Sequence, residues 1–134
     1  MRIIIIGGLT NGKILIDYFR NKKDVSIELI ITHPYKKEIP RIVNLNYLKK
    51  LGIKIIFDLD VNKYSETIKK INPDIIFLLG WSGMINKSII KIPKIGIIGF
   101  HPSKLPLYRG RSTIAWQIEE GVRSSAYTAF FVNS

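Results

Sequence analysis

Short apolar runs that alternate with segments of helical periodicity constrain the fold of this chain most strongly. The first run, residues 3–6, consists of four isoleucines and ends at Gly7-Gly8. Apolar character without alternation is typical of a strand that is buried on both faces of a parallel sheet. In the next segment, residues 14, 15, 18 and 19 are apolar at helical spacing. The chain is therefore expected to begin with a strand, a glycine-rich turn and a helix.

The same alternation continues to the end of the sequence. Strands are predicted at residues 3–6, 25–31, 53–57, 74–79, 95–100 and 126–132, and helices at residues 11–21, 44–51, 63–71, 82–90 and 112–120. This order predicts an α/β fold, a Rossmann-like three-layer sandwich with a mostly parallel sheet. Ligands of such sheets bind at the carboxyl ends of the strands. Gly7, His33, Gly80 and His101 each follow a predicted strand and are expected at that edge.

Composition excludes several classes of protein. The chain has no cysteine, so disulfide bonds and thiolate chemistry are excluded, and its two histidines and ten acidic residues lack the spacing of metal ligands. No metal site is expected. The apolar runs are far shorter than the roughly 20 residues that cross a membrane, and no secretory signal is recognisable, so a cytoplasmic protein without a membrane partner is expected. A net charge of +11 favours polyanionic partners, although lysines spread along the whole chain also fit solvated loops and helix ends.

The turn after the first strand contains Gly7, Gly8, Thr10 and Asn11. Main-chain N–H groups in such a turn, together with the N-terminus of the following helix, can hold an anion such as phosphate. The turn lacks the Gly-x-Gly-x-x-Gly spacing of dinucleotide-binding proteins and the Lys-Ser/Thr of a P-loop. Tight turning alone would also explain its glycines, so both interpretations stay open.

The two histidines differ in their setting. His33 precedes Pro34 and several lysines, which is typical of a loop histidine. His101 follows an apolar strand and begins a proline-rich loop, which would hold its imidazole at the mouth of the crevice. By position alone, a structural histidine and a catalytic histidine fit this pattern equally well.

The sequence from His101 resembles a known family. His-Pro-Ser-Lys-Leu-Pro-Leu-Tyr-Arg-Gly at residues 101–110, with Ile-Ala-Trp on the next predicted helix, resembles the His-x-Ser-Leu-Leu-Pro-x-x-Arg-Gly segment of the folate-dependent formyltransferases. Residues 72–80 resemble the strand that precedes the folate pocket of that family. Its members include methionyl-tRNA formyltransferase, glycinamide ribonucleotide transformylase and nucleotide-sugar N-formyltransferases. The resemblance implies that residues 1–134 form an N-terminal catalytic domain of this formyltransferase fold.

The resemblance also implies a reaction and a set of site residues. The formyl donor would be 10-formyltetrahydrofolate, and the acceptor a primary amine. Attack by the amine produces an oxyanion, which needs a hydrogen-bond donor where the charge develops, and His101 is the catalytic residue that the resemblance implies. The implied folate slot is lined by Trp81, Ser82, Met84 and Leu105. The implied substrate site consists of Gly7, Gly8, Thr10, Asn11, Ser103, Arg109 and Gly110.

Two features depart from the family pattern. Gly99 stands where the family usually has an asparagine whose amide polarises the formyl oxygen, and loss of one such donor typically lowers the rate by about 10² to 10³. The catalytic aspartate of the family would fall a few residues beyond Ser134, so the domain is expected to be incomplete at its C-terminus.

Three functions stay open at this point. The divergent motif favours formyl transfer to a nucleotide-linked amino sugar, a small-molecule partner. The second hypothesis is methionyl-tRNA formyltransferase, with tRNA as the partner. The third is a non-catalytic ligand-binding module of the same fold, which Gly99 and the aspartate not found up to Ser134 support.

Overall fold

The structure, a computed structural model, describes residues 1–39 and 42–133. Within these residues, six strands form a single sheet in the order β3-β2-β1-β4-β5-β6. The strands are β1 (Arg2–Ile6), β2 (Ser26–Thr32), β3 (Ile55–Phe57), β4 (Ile75–Leu79), β5 (Gly96–His101) and β6 (Thr128–Phe131). The α-helices are α1 (Thr10–Phe19), α2 (Ser65–Ile71), α3 (Lys87–Ile90) and α4 (Thr113–Glu119), and short 3-10 helices lie at Asn46–Leu51 and Val61–Tyr64.

The sheet is parallel except at one edge. β1 pairs in parallel with β2 and β4, β2 with β3, and β4 with β5, whereas β6 runs antiparallel to β5. Strand order reverses between β1 and β4, and such a reversal opens a crevice at the carboxyl ends of the strands. The predicted α/β fold with a mostly parallel sheet is confirmed.

The isoleucines of β1 explain the apolar run that begins the sequence. Ile3 and Ile5 belong to the core cluster under α1, and Ile4 and Ile6 belong to the cluster under α2 and α3. All four side chains are fully buried. Burial of one such side chain stabilises a fold by about 1.5 to 3 kcal/mol. Helices therefore cover both faces of the central strand, as a three-layer sandwich requires.

Helix α1 is rotated relative to the predicted apolar face. Ile14 and Tyr18, two of the apolar residues expected in the core, are 64% and 57% exposed. The buried positions are Gly12 and Ile16. A Cβ on Gly12 would lie 3.3 Å from the Gly7 carbonyl group. The close approach of the first helical turn to the end of β1 accounts for the rotation.

The helix predicted at residues 82–90 is shorter in the structure. Only Lys87–Ile90 is helical. The side chain of Asn62 donates to the main-chain oxygen of Met84 at 2.9 Å and accepts from the Asn86 N–H at 2.8 Å. These bonds satisfy main-chain groups that a helix would have paired within itself, so the segment before Lys87 stays a loop.

No α-helix among the described residues has the length and apolar character needed to cross a membrane.

Candidate active site

Three adjacent parallel strands place the predicted site residues at one edge of the sheet. Gly7 follows β1, Gly80 follows β4, and His101 is the last residue of β5. These strands are neighbours in the order β1-β4-β5. Because parallel strands end at the same edge, the glycine-rich turn, the segment after β4 and the imidazole share the carboxyl edge of the sheet.

Crowding between strand ends explains the two glycines of the first turn. A Cβ on Gly7 would lie 1.8 Å from the carbonyl oxygen of Leu79, and one on Gly8 would lie 1.6 Å from the hydroxyl oxygen of Thr32. Gly7 also has a φ of 139°, which disfavours any other residue. Packing requires both glycines, so their presence does not by itself indicate a bound phosphate.

The N-terminus of α1 nevertheless offers donors to an anion. Its N-cap residue, Leu9, provides no side-chain hydrogen bond, and the first N–H groups of a helix have no partner inside it. Thr10 and Asn11 are exposed. Asn11 donates its side-chain amide to the hydroxyl of Tyr127 at 2.7 Å. Since Tyr127 precedes Thr128, and Thr128 pairs with His101 across β5 and β6, this bond links the turn to the strand beside the histidine.

His101 is half-buried, and its ring has one defined partner. Nε2 lies 2.7 Å from the main-chain oxygen of Tyr108. A carbonyl oxygen only accepts hydrogen bonds, so Nε2 is the donor and carries a proton. In the neutral ring Nδ1 then carries the lone pair, and the imidazolium has a second N–H to donate there.

Thr128 fastens the loop that follows His101. Its hydroxyl donates to the carbonyl oxygen of Ser103 at 2.6 Å and accepts from the main-chain N–H of Leu105 at 3.3 Å. Ser103 is fully buried, and its own hydroxyl donates to the carbonyl of Leu107 at 2.8 Å. The hydroxyl hydrogen of Ser103 is thus used inside the loop and the side chain does not reach the surface, and its contact with a substrate stays a prediction.

A second set of bonds joins the same loop to α4. Gln117 is 6% exposed and donates to the carbonyl oxygens of Pro102, at 2.9 Å, and Thr113, at 3.0 Å. The hydroxyl of Ser125 donates to the side-chain oxygen of Gln117. No sequence motif marks Gln117 or Thr128, since their contacts exist only once the loop has folded against β6 and α4.

The residues expected to line a folate slot lie on two loops. Trp81 is half-buried, and its ring centroid lies 4.9 Å from that of His33. In the described part of the chain, the buried indole N–H of Trp81 has no hydrogen-bond partner. Ser82 is exposed and Met84 is 84% exposed, whereas Leu105 is half-buried on the loop after β5. A slot built from these residues would be open to solvent, and their role stays a prediction.

Arg109 and Gly110 are exposed residues of the loop after His101. Within residues 1–39 and 42–133, Arg109 makes no ion pair. Gly110 has a φ of 100°, and no atom lies within 4 Å of a Cβ built on it. The guanidinium group can therefore meet an incoming anion, for which its paired N–H groups are suited.

Phe130 occupies the space next to Gly99. The two residues are partners across β5 and β6, and a Cβ on Gly99 would lie 2.6 Å from the tip of the Phe130 ring. An asparagine at this position could not coexist with the ring as it lies. The departure from the family pattern is thus coupled to an aromatic residue on the neighbouring strand.

Sequence comparisons agree with the fold and the motif. The family model described as Formyl transferase matches residues 1–134. A methionyl-tRNA formyltransferase of Clostridium botulinum is 35% identical over 74 residues, which cover 55% of this chain and 24% of that protein. A methionyl-tRNA formyltransferase of Thermotoga neapolitana is 27% identical over 138 residues, which cover 97% of this chain and 44% of that protein. The chain spans less than half the length of these relatives.

Solved structures share the architecture at lower identity. The crystal structure of glycinamide ribonucleotide transformylase 1 from Symbiobacterium toebii matches with a TM-score of 0.80 and 19% identity, covering 99% of this chain and 66% of that chain. This likeness shows the fold, and the family model covers every residue of the sequence. The chain therefore belongs to the formyl transferase family.

Proposed function

We propose that this chain takes part in the transfer of a formyl group from 10-formyltetrahydrofolate to a primary amine, with His101 as the hydrogen-bond donor to the developing oxyanion. The observation that carries the proposal is the placement of His101. It is the last residue of β5, at the carboxyl edge of the sheet, and its ring is held 2.7 Å from a main-chain carbonyl. A half-buried imidazole with a fixed orientation suits stabilisation of charge in a transition state.

The residues at the carboxyl edge fit a folate. The indole N–H of Trp81 is a buried donor without a partner in the described part of the chain. It could donate a hydrogen bond to an acceptor nitrogen of the folate ring system. Met84 and Leu105 supply apolar surface on the two flanking loops. When bound, 10-formyltetrahydrofolate supplies the activated formyl carbon.

His101 would act at the formyl oxygen. Attack by the amine leaves negative charge on that oxygen. Because Nε2–H is donated to the Tyr108 carbonyl, the group that would stabilise this charge is the Nδ1–H of the imidazolium form. The same ring can take part in proton transfer when the amine loses its proton. Because Gly99 has no side-chain donor, position 99 adds no side-chain hydrogen bond to this stabilisation, and His101 would supply it.

The acceptor amine would belong to a molecule with a phosphate. The open N-terminus of α1 and the exposed Arg109 both favour an anion. The relatives named above are methionyl-tRNA formyltransferases, and the net charge of +11 suits tRNA. We therefore place methionyl-tRNA first, ahead of the nucleotide-linked amino sugar that the motif favoured.

The experiment that tests this function offers several amines to the protein. Formyl transfer from 10-formyltetrahydrofolate is measured with methionyl-tRNA, with a nucleotide-linked amino sugar and with glycinamide ribonucleotide. We expect methionyl-tRNA to react fastest and its binding to weaken steeply with salt, as phosphate contacts do. If either small molecule reacts faster than methionyl-tRNA, that molecule is the acceptor and the assignment of tRNA is wrong. Folate binding without transfer to any amine would favour the non-catalytic module.

A further inference from the structure

Tyr108 has a main-chain conformation that needs an explanation. Its φ is 53°, in the left-handed region that an aromatic residue rarely adopts. Such a conformation persists only where the surroundings fix it, and it occurs most often where function depends on the geometry. The residue lies in the loop between His101 and α4, and it is half-buried.

Glu120 fixes the side chain of Tyr108. The tyrosine hydroxyl donates to a carboxylate oxygen of Glu120 at 2.5 Å, just past the C-terminal end of α4. This hydrogen bond, which holds the hydroxyl proton, raises the pKa of Tyr108 above its usual value. The side chain of Tyr108 is therefore bonded to the end of α4, whereas its main chain is part of the loop after His101.

The main chain of Tyr108 contacts the side chain of His101. The Tyr108 carbonyl oxygen lies 2.7 Å from Nε2 of His101. It can accept a hydrogen bond but cannot donate one, so only the ring with a proton on Nε2 makes this contact. No other hydrogen bond to the His101 side chain occurs among residues 1–39 and 42–133.

We propose that Tyr108, anchored by Glu120, is a positioning residue that keeps the proton of His101 on Nε2 and leaves Nδ1 as the nitrogen that exchanges protons. The proposal deepens the function proposed above and rests on it for its catalytic consequence. The protonation pattern itself belongs to the free protein and is measurable without any reaction.

The test reads the tautomer of His101 by ring ¹⁵N NMR of the 134-residue chain, at a pH where the ring is neutral. Its two histidines are assigned with the variant His101→Asn, and the chain unfolded in urea gives the reference ratio of tautomers. We expect the folded protein to favour the Nε2–H form by about 2-fold to 13-fold more than the reference, the effect of one net hydrogen bond. Tyr108→Phe and Glu120→Ala, each of which removes one partner of the hydroxyl–carboxylate bond, are expected to return the ratio towards the reference.

Controls separate positioning from loss of structure. Glu119→Ala changes the exposed neighbour of Glu120 in the same way, and it should leave the ratio unchanged. Glu120 is exposed, so Glu120→Ala should fold even if Tyr108→Phe does not. Because both changes break one contact, the double variant should shift the ratio no further than either single variant.

Two results would overturn the proposal. One is a folded protein whose ratio equals that of the unfolded reference or favours Nδ1–H. The other is an unchanged ratio in Glu120→Ala. Absence of formyl transfer, with the tautomer shift intact, would overturn the proposed function and leave the positioning role of Tyr108 standing.

Discussion

Gly7 has no room for a side chain, because the carbonyl oxygen of Leu79 occupies the space that a Cβ would need. We predict that Gly7→Ala lowers the free energy of unfolding by about 2 to 5 kcal/mol, because it adds backbone strain to a clash with a rigid carbonyl group. Gly52→Ala is the matched control, since Gly52 also has a positive φ, of 76°, but nothing lies within 4 Å of its Cβ position. Urea unfolding should show a cost of only about 1 kcal/mol there. Equal costs would contradict a steric role for Gly7.

Gly99 and Phe130 are expected to behave as a coupled pair. Gly99→Asn should destabilise the protein by about 1 to 3 kcal/mol, because the new side chain displaces the Phe130 ring. In a Phe130→Ala background the same change should cost clearly less, since the obstructing ring is gone. A double-mutant cycle in urea measures this coupling. Additive costs would show that the aromatic ring does not decide which residue fits at position 99.

Asp58 is expected to make the free energy of unfolding depend on pH in the acidic range. The Asp60 main-chain N–H and the Tyr64 hydroxyl donate to its carboxylate and lower the pKa of Asp58 from 3.8 to about 2. A pKa below the unfolded value stabilises the fold above about pH 4, and that contribution is lost as the pH falls through about 2. The difference in urea midpoint between wild type and Asp58→Asn should therefore be largest at neutral pH. A difference that persists unchanged at about pH 2 would contradict this.

At the scale of an element, α4 reverses the usual pattern of a surface helix. Its buried residues, Thr113 and Gln117, are polar, whereas Ile114 and Ile118 are 58% and 72% exposed. The buried amide holds the loop after His101, so the polar face of this helix positions the site.

Paired substitutions test this reversal. Gln117→Leu should lower the free energy of unfolding by about 1 to 3 kcal/mol, because it leaves the half-buried carbonyl oxygen of Pro102 without its side-chain donor and the Ser125 hydroxyl without its acceptor. Ile118→Gln should change it by no more than about 0.5 kcal/mol. Urea unfolding of the two variants measures both effects. A larger cost for Ile118→Gln would show that its side chain packs more closely than its exposure indicates.

At the scale of the whole molecule, sequence patterns correctly predicted the strands whose side chains are buried in the core. The isoleucines of β1 lie between two helical layers, so their lack of alternation correctly indicated a central strand. Patterns failed where a single long-range contact decides the outcome. Asn62 holds residues 84 and 86 in a loop that periodicity had assigned to a helix, and no local signal reveals such a partner.

The candidate site shows the same division. The motif located His101 and the loop after it at the end of β5. It did not reveal that Ser103 points inward or that Tyr108 meets the imidazole. Both facts depend on how the loop folds back on β6 and α4, which sequence spacing does not specify.

The most direct test compares formyl transfer by the wild-type chain and by His101→Asn, with 10-formyltetrahydrofolate and methionyl-tRNA at saturating concentrations. We predict that kcat falls by about 10² to 10³, as for loss of a donor to a developing oxyanion, with folate binding retained. Glu119→Gln, a change on the exposed end of α4, serves as the control. Equal transfer by wild type and His101→Asn would contradict the role given to His101.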